Sequence, residues 1–418
     1  MQIVKTENKR YNDYLIISFE TMILEQYVFL FLVFSIFAYF LYTRLRYPFW
    51  SHMPVSHNYD MLSFSEGIIQ STPKRNKYVN QSLVKTAPFF ELEDDQQKLL
   101  SHILNCFYIP SDVIFSTVSP EILKTRLSGH FSTPFVSADP SFGIGCAVSY
   151  PIRIIKCENI INANYLAYVA TDRKQNISRM LISTHDYNSR TNNKEVMTTL
   201  YKKHVGKCAG AKPLIEFKTS VFYINVEDND TKVMMSRNAL GTANALGSAN
   251  AHTVQIYKSN WNLLQDFYDS LSSLFDFVAI MDIAAIKARV DANQMYIFAY
   301  RVGTQIMGMY FIEDMNTLYE NVADYGGKTL SLVASVNNIF EPDGIDVFYN
   351  GFVEAVQKIS NQNRDYKMMV IDDVGHNAQI VKKTMQFKKA IFETEGGYYW
   401  INYNGQIKSG GKPVFIMI

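Results

Sequence analysis

Residues 164–182 read NYLAYVATDRKQNISRMLI. The aromatic and apolar residues from Tyr165 to Ala170 predict a strand, and the run from Asn176 to Thr191 predicts a helix. A polar loop beginning DRKQ joins them. A loop that feeds a helix N-terminus presents backbone N–H groups and the positive end of the helix dipole, so Arg173, Lys174, Gln175, Asn176, Ile177 and Ser178 form a candidate cradle for a pyrophosphate. Arg173 and Lys174 would add charge there. An ordinary solvated loop has the same composition, and no glycine occurs in DRKQNISR.

Outward from this stretch, FGIGCAVSYPIRIIKC (142–157) reads as the preceding strand and VFYINV (221–226) as a later one. Upstream, LEDDQQKLLSHILNCFY (92–108) has helical periodicity with an acidic first turn, and SPEILKTRLS (119–128) opens with a Ser cap followed by Pro. Downstream, NALGTANALGSANAH (238–252) is a small-residue repeat that cannot build a core, which makes it a domain boundary. Beyond it the order recurs: a helix at WNLLQDFYDSLSSLF (261–275), strands QMYIFAYRV (294–302), QIMGMYFI (305–312) and LSLVASVNNIF (330–340), a helix at GFVEAVQKIS (351–360), then MMVIDD (368–373) and GYYWINYN (397–404). Such a repeat of element order predicts two related α+β domains.

The N-terminus is of another kind. YVFLFLVFSIFAYFLY (27–42) carries no charge, and with its flanks an apolar span of about 23–43 approaches the roughly 20 residues that cross a bilayer. A removable signal peptide fits poorly, because the run starts late and no small-residue cleavage site precedes Arg44 and Arg46. Those arginines follow the span directly, so the positive-inside rule predicts a cytosolic C-terminal body. Residues 47–95, with Pro48, Pro54, Pro73 and Pro88, are expected to wrap around a core rather than form one.

Composition excludes several functions. The chain has 418 residues, 48% of them hydrophobic, enough for two compact domains. Forty basic and 39 acidic residues give a net charge of +1, so no broad field draws it to nucleic acid. Cys106, Cys146, Cys157 and Cys208 lack metal-ligand spacing, so no metal site is expected.

Several short motifs resemble the N-myristoyltransferase family. YPFWSHMPV (47–55) is similar to its N-terminal signature, with Met53 in place of a Gln; residues 164–182 resemble its N-F-L-C-V strand and basic loop; IDDVGHN (371–377) and YYWINYNG (398–405) resemble two segments of its second half. THDYNSR (184–190) is similar to divergent relatives in large DNA viruses. The resemblance implies an α+β fold of two tandem GNAT-like domains with mixed sheets, at 47–237 and 253–418, after one transmembrane helix within residues 1–46. It implies an acyltransferase with acyl-CoA, of myristoyl type, as co-substrate and a protein or peptide N-terminal glycine as acceptor. Tyr47, Phe49 and Trp50 would then flank the CoA with residues 173–178, backbone amides at Tyr165 and Leu166 would hold the oxyanion, and Asp373 and Asn377 would shape the peptide side.

The family's base is its terminal carboxylate, which maps onto Ile418. The tail PVFIMI fits delivery of that group into a core, where desolvation raises a carboxyl's affinity for a proton. A closing strand without chemistry fits the same residues. Arg179 also replaces a proline of the family pattern, so a second expectation stands beside the first: an inactive scaffold serving as a viral membrane or virion interaction protein. His185 and Asp186 are not a triad, because helical neighbours point about 100° apart.

Overall fold

The computed structural model describes residues 25–60, 65–108, 114–127, 135–138, 145–156, 159–172, 177–224, 251–319, 326–338, 344–405, 407 and 414–418. Arg173, Lys174, Gln175 and Asn176 of the predicted cradle, and the repeat at 238–252 up to residue 250, lie outside them. The helices are α1 (Glu25–Arg46), α2 (Asp94–Phe107), α3 (Pro120–Arg126), α4 (Ser178–Asn192), α5 (Trp261–Leu274), α6 (Ile283–Asp291), α7 (Gly344–Gln362) and α8 (Asn377–Thr384). The strands are β1 (Gly67–Ile68), β2 (Lys85–Pro88), β3 (Ile114–Ser116), β4 (Phe135–Ala138), β5 (Gly145–Lys156), β6 (Asn159–Thr171), β7 (Thr198–Lys203), β8 (Ile215–Tyr223) and β9 (Ala251–Gln255). They continue with β10 (Phe277–Ile280), β11 (Met295–Val302), β12 (Gln305–Tyr319), β13 (Gly327–Asn337), β14 (Tyr366–Asp372), β15 (Phe392–Ile401), β16 (Tyr403–Asn404) and β17 (Val414–Met417).

Helix starts follow local chemistry. At α3, Ser119 Oγ accepts from Ile122 N at 3.3 Å and Pro120 fills a position that needs no donor. At α2, Glu93 and Gln96 form a reciprocal capping box. α1 is 22 residues long, apolar enough to cross a bilayer, and almost wholly exposed along its length.

One mixed sheet runs β17-β10-β5-β6-β7-β15-β8-β14-β13-β12-β11-β9, with β4 and β2 laid along β5 and β3 along β12. Within it a unit occurs twice. β5 and β6 pair antiparallel, α4 crosses over, and β7 pairs parallel to β6 from Ala163↔Thr198 to Leu166↔Tyr201. β12 and β13 pair antiparallel, α7 crosses over, and β14 pairs parallel to β13 up to Leu332↔Ile371. Beyond Leu166 in one unit and Leu332 in the other, the parallel strands part.

A bulge marks each parting. Ser149 faces Leu166 and Val148 faces Tyr168, which leaves Ala167 as the extra residue; Ile312 faces Leu332 and Phe311 faces Ala334, which leaves Val333. The extra residue resets the two-residue alternation of the strand. Tyr165 and Tyr168 therefore point into the same apolar cluster, and Leu330 and Leu332 face the opposite side from Ala334 and Val336.

The two units interlock. β15, late in sequence, lies between β7 and β8, and β10 and β17 extend the sheet past β5. A single apolar layer joins them on one face, where Leu100, Ile103 and Leu104 of α2, Leu264 and Phe267 of α5, and Ile286 of α6 pack on β5, β6, β11 and β12. On the other face α7 and α8 cover the second unit, while Leu181 and Ile182 of α4 meet Phe49, Met53 and Val55 of the lead-in over the first. The lead-in is held by main-chain bridges, Val55↔Ile401 and His57↔Ala211. Asn402, at φ 62°, ties it further by donating to Gln70 O at 3.0 Å and Met197 O at 2.7 Å.

The apolar tail becomes β17, parallel to β10, with Phe415, Ile416 and Met417 at most 3% exposed. Burial of each contributes on the order of 2 kcal/mol. Gly375, at φ 58° in the turn after β14, lets the chain pass beneath this strand: a Cβ there would overlap the Val414 carbonyl oxygen.

Candidate functional site

Where the two bulges face each other, the shared layer is incomplete. A cavity of about 360 Å³ lies there, walled by Tyr165, Ala167 and Tyr168 of β6, Ser331 and Val333 of β13, Lys202 and Asp372 at the ends of β7 and β14, and Ile418. Tyr108, Tyr150 and Tyr398 add aromatic wall, and the exposed His204 and Val205 also line it. Ile418 itself is 8% exposed.

Charge in this cavity is paired across the repeat. Lys202 and Asp372 occupy equivalent places, each one residue past the last parallel pair of its unit, and Lys202 Nζ meets Asp372 Oδ2 at 2.5 Å. Thr219 Oγ1 donates to the other carboxylate oxygen at 2.6 Å. Burial alone would raise the Asp372 carboxyl and lower the Lys202 amine, but each holds the other charged: Asp372 lies below the usual carboxylate range and Lys202 above the usual amine range.

The second group is asymmetric. Glu313 Oε1 takes both Arg126 Nη2, at 2.8 Å, and Arg289 Nη1, at 3.4 Å. Arg126 also donates to the Tyr168 hydroxyl and, at 2.9 Å, to Asp314 O, while Arg289 Nη2 donates to Arg126 O at 3.3 Å. Both arginines stand on the apolar stripe of a helix, Arg289 beside Ala285, Ile286 and Val290, Arg126 beside Leu123. A charged residue at a stripe position is the signal in the sequence that these side chains enter the core.

Through the sheet, the first parting presents a different surface. Leu166 faces the cluster of Phe49, Leu181 and Ile182, with Trp50 and Ile177 packed against it. The Trp50 ring stacks 6.5 Å from Tyr201, the last β7 residue paired to β6, and 6.4 Å from Tyr399. Phe49 meets Trp50 edge-on at 5.0 Å. Tyr47 stands against Gly210 and stacks on Tyr59 at 6.1 Å. Ile177 precedes the first turn of α4, which Ser178 opens, and as N-cap residue it offers no side-chain cap.

Asp373 and Asn377 are elsewhere. Asp373 Oδ1 accepts from Lys218 N at 2.6 Å, and neither residue is in the cavity wall, where the neighbouring Asp372 stands instead. Asn377, 1% exposed, donates to Leu332 O at 3.2 Å and Val333 O at 3.4 Å and accepts from Ser335 Oγ at 2.6 Å. It braces the β13 bulge from behind.

His185 and Asp186 diverge as helical geometry requires. His185 Nε2 lies 2.9 Å from Ser149 Oγ, whereas Asp186 pairs with Arg190 at 2.7 Å, all of them buried. Burial lowers the His185 imidazole to about 4. Because the unfolded chain then binds this proton first, stability should be complete above pH 6.5 and fall as pH drops towards 4, by about 2 kcal/mol at pH 5 from this residue. Denaturant unfolding at pH 7 and pH 5 should show that loss, and His185→Gln should flatten it; an equal loss in the variant would reject the assignment.

Two antiparallel hairpins, each followed by a crossover helix and a parallel strand that parts at a bulge, repeat in tandem along one mixed α+β sheet. Solved structures that resemble it include N-myristoyltransferases. The Saccharomyces cerevisiae enzyme with bound myristoyl-CoA superposes with a TM-score of 0.64 at 11% identity, covering 86% of this chain and 93% of that chain. The same enzyme with myristoyl-CoA and inhibitors gives 0.64 at 13% identity, over 88% of this chain and 92% of that one. At such identity the likeness is one of fold. No protein-family profile and no curated protein sequence matches the chain.

Proposed function

We propose that the chain is a membrane-anchored protein N-acyltransferase that moves a long-chain, myristoyl-type acyl group from acyl-CoA to an N-terminal glycine amine. One observation carries this reading: the β6 bulge, the parting of β6 from β7 and the last residue of the chain meet at a single cavity. The shared fold with enzymes solved with myristoyl-CoA supports it.

In this reading the CoA pyrophosphate is bound at the start of α4 by Arg173, Lys174, Gln175, Asn176, Ile177 and Ser178. Tyr47, Phe49 and Trp50 flank the nucleotide end. The thioester reaches through the parting to the cavity, where backbone N–H groups at Tyr165, Leu166 and the bulge residue Ala167 receive the developing oxyanion. The Ile418 carboxylate takes one proton from the acceptor's ammonium. The freed amine attacks the thioester carbonyl, a C–N bond forms, the C–S bond breaks, and CoA leaves as a thiol with the second amine proton. Asn377 shapes the acceptor side by fixing the bulge at Val333, and Asp373 by holding the turn after β14. α1 keeps the body at a membrane, on its cytosolic side.

Full-length protein in lipid nanodiscs, given myristoyl-CoA and peptides with N-terminal glycine, should yield peptide heavier by one acyl group. Calorimetry that finds no binding of any acyl-CoA would sink the enzyme reading and leave the interaction scaffold.

A further inference from the structure

Lys382 to Phe392 reads KKTMQFKKAIF, with four lysines and no carboxylate. The segment closes α8 and enters β15. Thr384 is buried and Ala390 packs against the apolar cluster beneath α7, yet Met385, Phe387, Ile391 and Phe392 are 41%, 46%, 45% and 54% exposed. They are held in place. Phe387 N donates to Thr384 O at 3.0 Å, Lys388 N to the same oxygen at 2.8 Å, and Ile391 N to Val221 O at 2.8 Å. The Phe387 ring stacks 6.2 Å from Tyr349, with Lys383 Nζ 5.6 Å from its centroid. Met385, Phe387, Lys388 and Lys389 line a shallow depression of about 350 Å³. Among the described residues, Asp346 is met by Lys383 at 2.5 Å, and Glu393, which also lines the depression, by Lys218 at 3.8 Å.

Fixed apolar side chains among lysines match one kind of surface. Protein interfaces are depleted in lysine, whereas at a bilayer aromatic and aliphatic groups enter the acyl boundary while lysine stems extend to anionic headgroups. The charge is complementary to that surface, and α1 is long enough to span it. We propose that Lys382–Phe392 is a second, peripheral contact with an anionic bilayer, so that α1 tethers the body and this segment orients it. The proposal takes from the anchor reading only that the body lies near a membrane.

Full-length chain in nanodiscs of phosphatidylcholine, with or without about 30% phosphatidylserine, provides the test through amide hydrogen exchange. Amides of 385–392 should exchange about tenfold more slowly in anionic discs, and the variant Phe387→Ser/Lys388→Glu/Lys389→Glu should exchange at the neutral-disc rate while β12 amides stay unchanged. Equal exchange in both discs, or protection that survives in the variant, overturns the proposal. So does protection that appears in detergent and grows with protein concentration, which would identify a second copy of the chain. Failure of α1 to hold the chain in discs shows separately, as loss of co-elution with lipid.

Discussion

Two residues added after Ile418 are expected to abolish acyl transfer, by about a hundredfold or more, while acyl-CoA binding and the unfolding midpoint stay near those of the unextended chain. Each added residue moves the carboxylate by about 3.3 Å, and a reacting pair tolerates a misplacement of only about 1 Å. Ile418 stands in the cavity wall with Tyr165 and Ala167, and β17 behind it is fixed by its pairing to β10 and by the close pass over Gly375. That fixed strand is why the extra residues must enter the cavity or leave it rather than be absorbed. The aromatic cluster of Phe49 and Trp50 lies across the sheet, so cofactor affinity should not follow. Removal of Ile418 draws the carboxylate back by a similar step and should cost as much. Turnover retained in both variants would refute the terminal base and leave β17 a closing strand.

Glu313→Ala should be the most destabilising single change in the cavity, at about 3–5 kcal/mol. Arg126 and Arg289 are 8% and 1% exposed and share one oxygen of this carboxylate. Without it, two guanidiniums remain in a region taken from water, and the bonds Arg126 keeps to Asp314 O and Arg289 keeps to Arg126 O carry no compensating charge. Glu313→Gln keeps the shape and an acceptor and should fall between. Thermal unfolding of the full chain in detergent compares the three, and a loss under about 1 kcal/mol for the alanine would mean that solvent screens the pair. Loss of acyl transfer without loss of stability would instead assign Glu313 to the reaction.

Much of the architecture was legible because local signals and tertiary structure agree. The strand and the helix of 164–182, the capped start of α3 and the repeat of element order all appear, since hydrophobic alternation and capping act over a few residues. Other elements were not. β7 (Thr198–Lys203) and β10 (Phe277–Ile280) carry short runs with no clean alternation, and they are strands because β6, β15 and β5 supply their partners. The order of the sheet, with β15 inside the first unit, is set by pairings across hundreds of residues that no local pattern encodes.

The candidate site divides along the same line. By itself the sequence determined that the last residues are apolar enough to be buried, that a helix of bilayer length precedes the body, and that the α+β order occurs twice, because composition and period are properties of the chain alone. Only the tertiary structure decided that Asp372 rather than Asp373 enters the cavity and that Asn377 braces a bulge from behind. It alone also brought Arg126, Arg289, Lys202 and Glu313 around Ile418. The reason is geometric: one extra residue at Ala167 or Val333 changes which side chains face inward, and a bulge is defined by the partner strand opposite it.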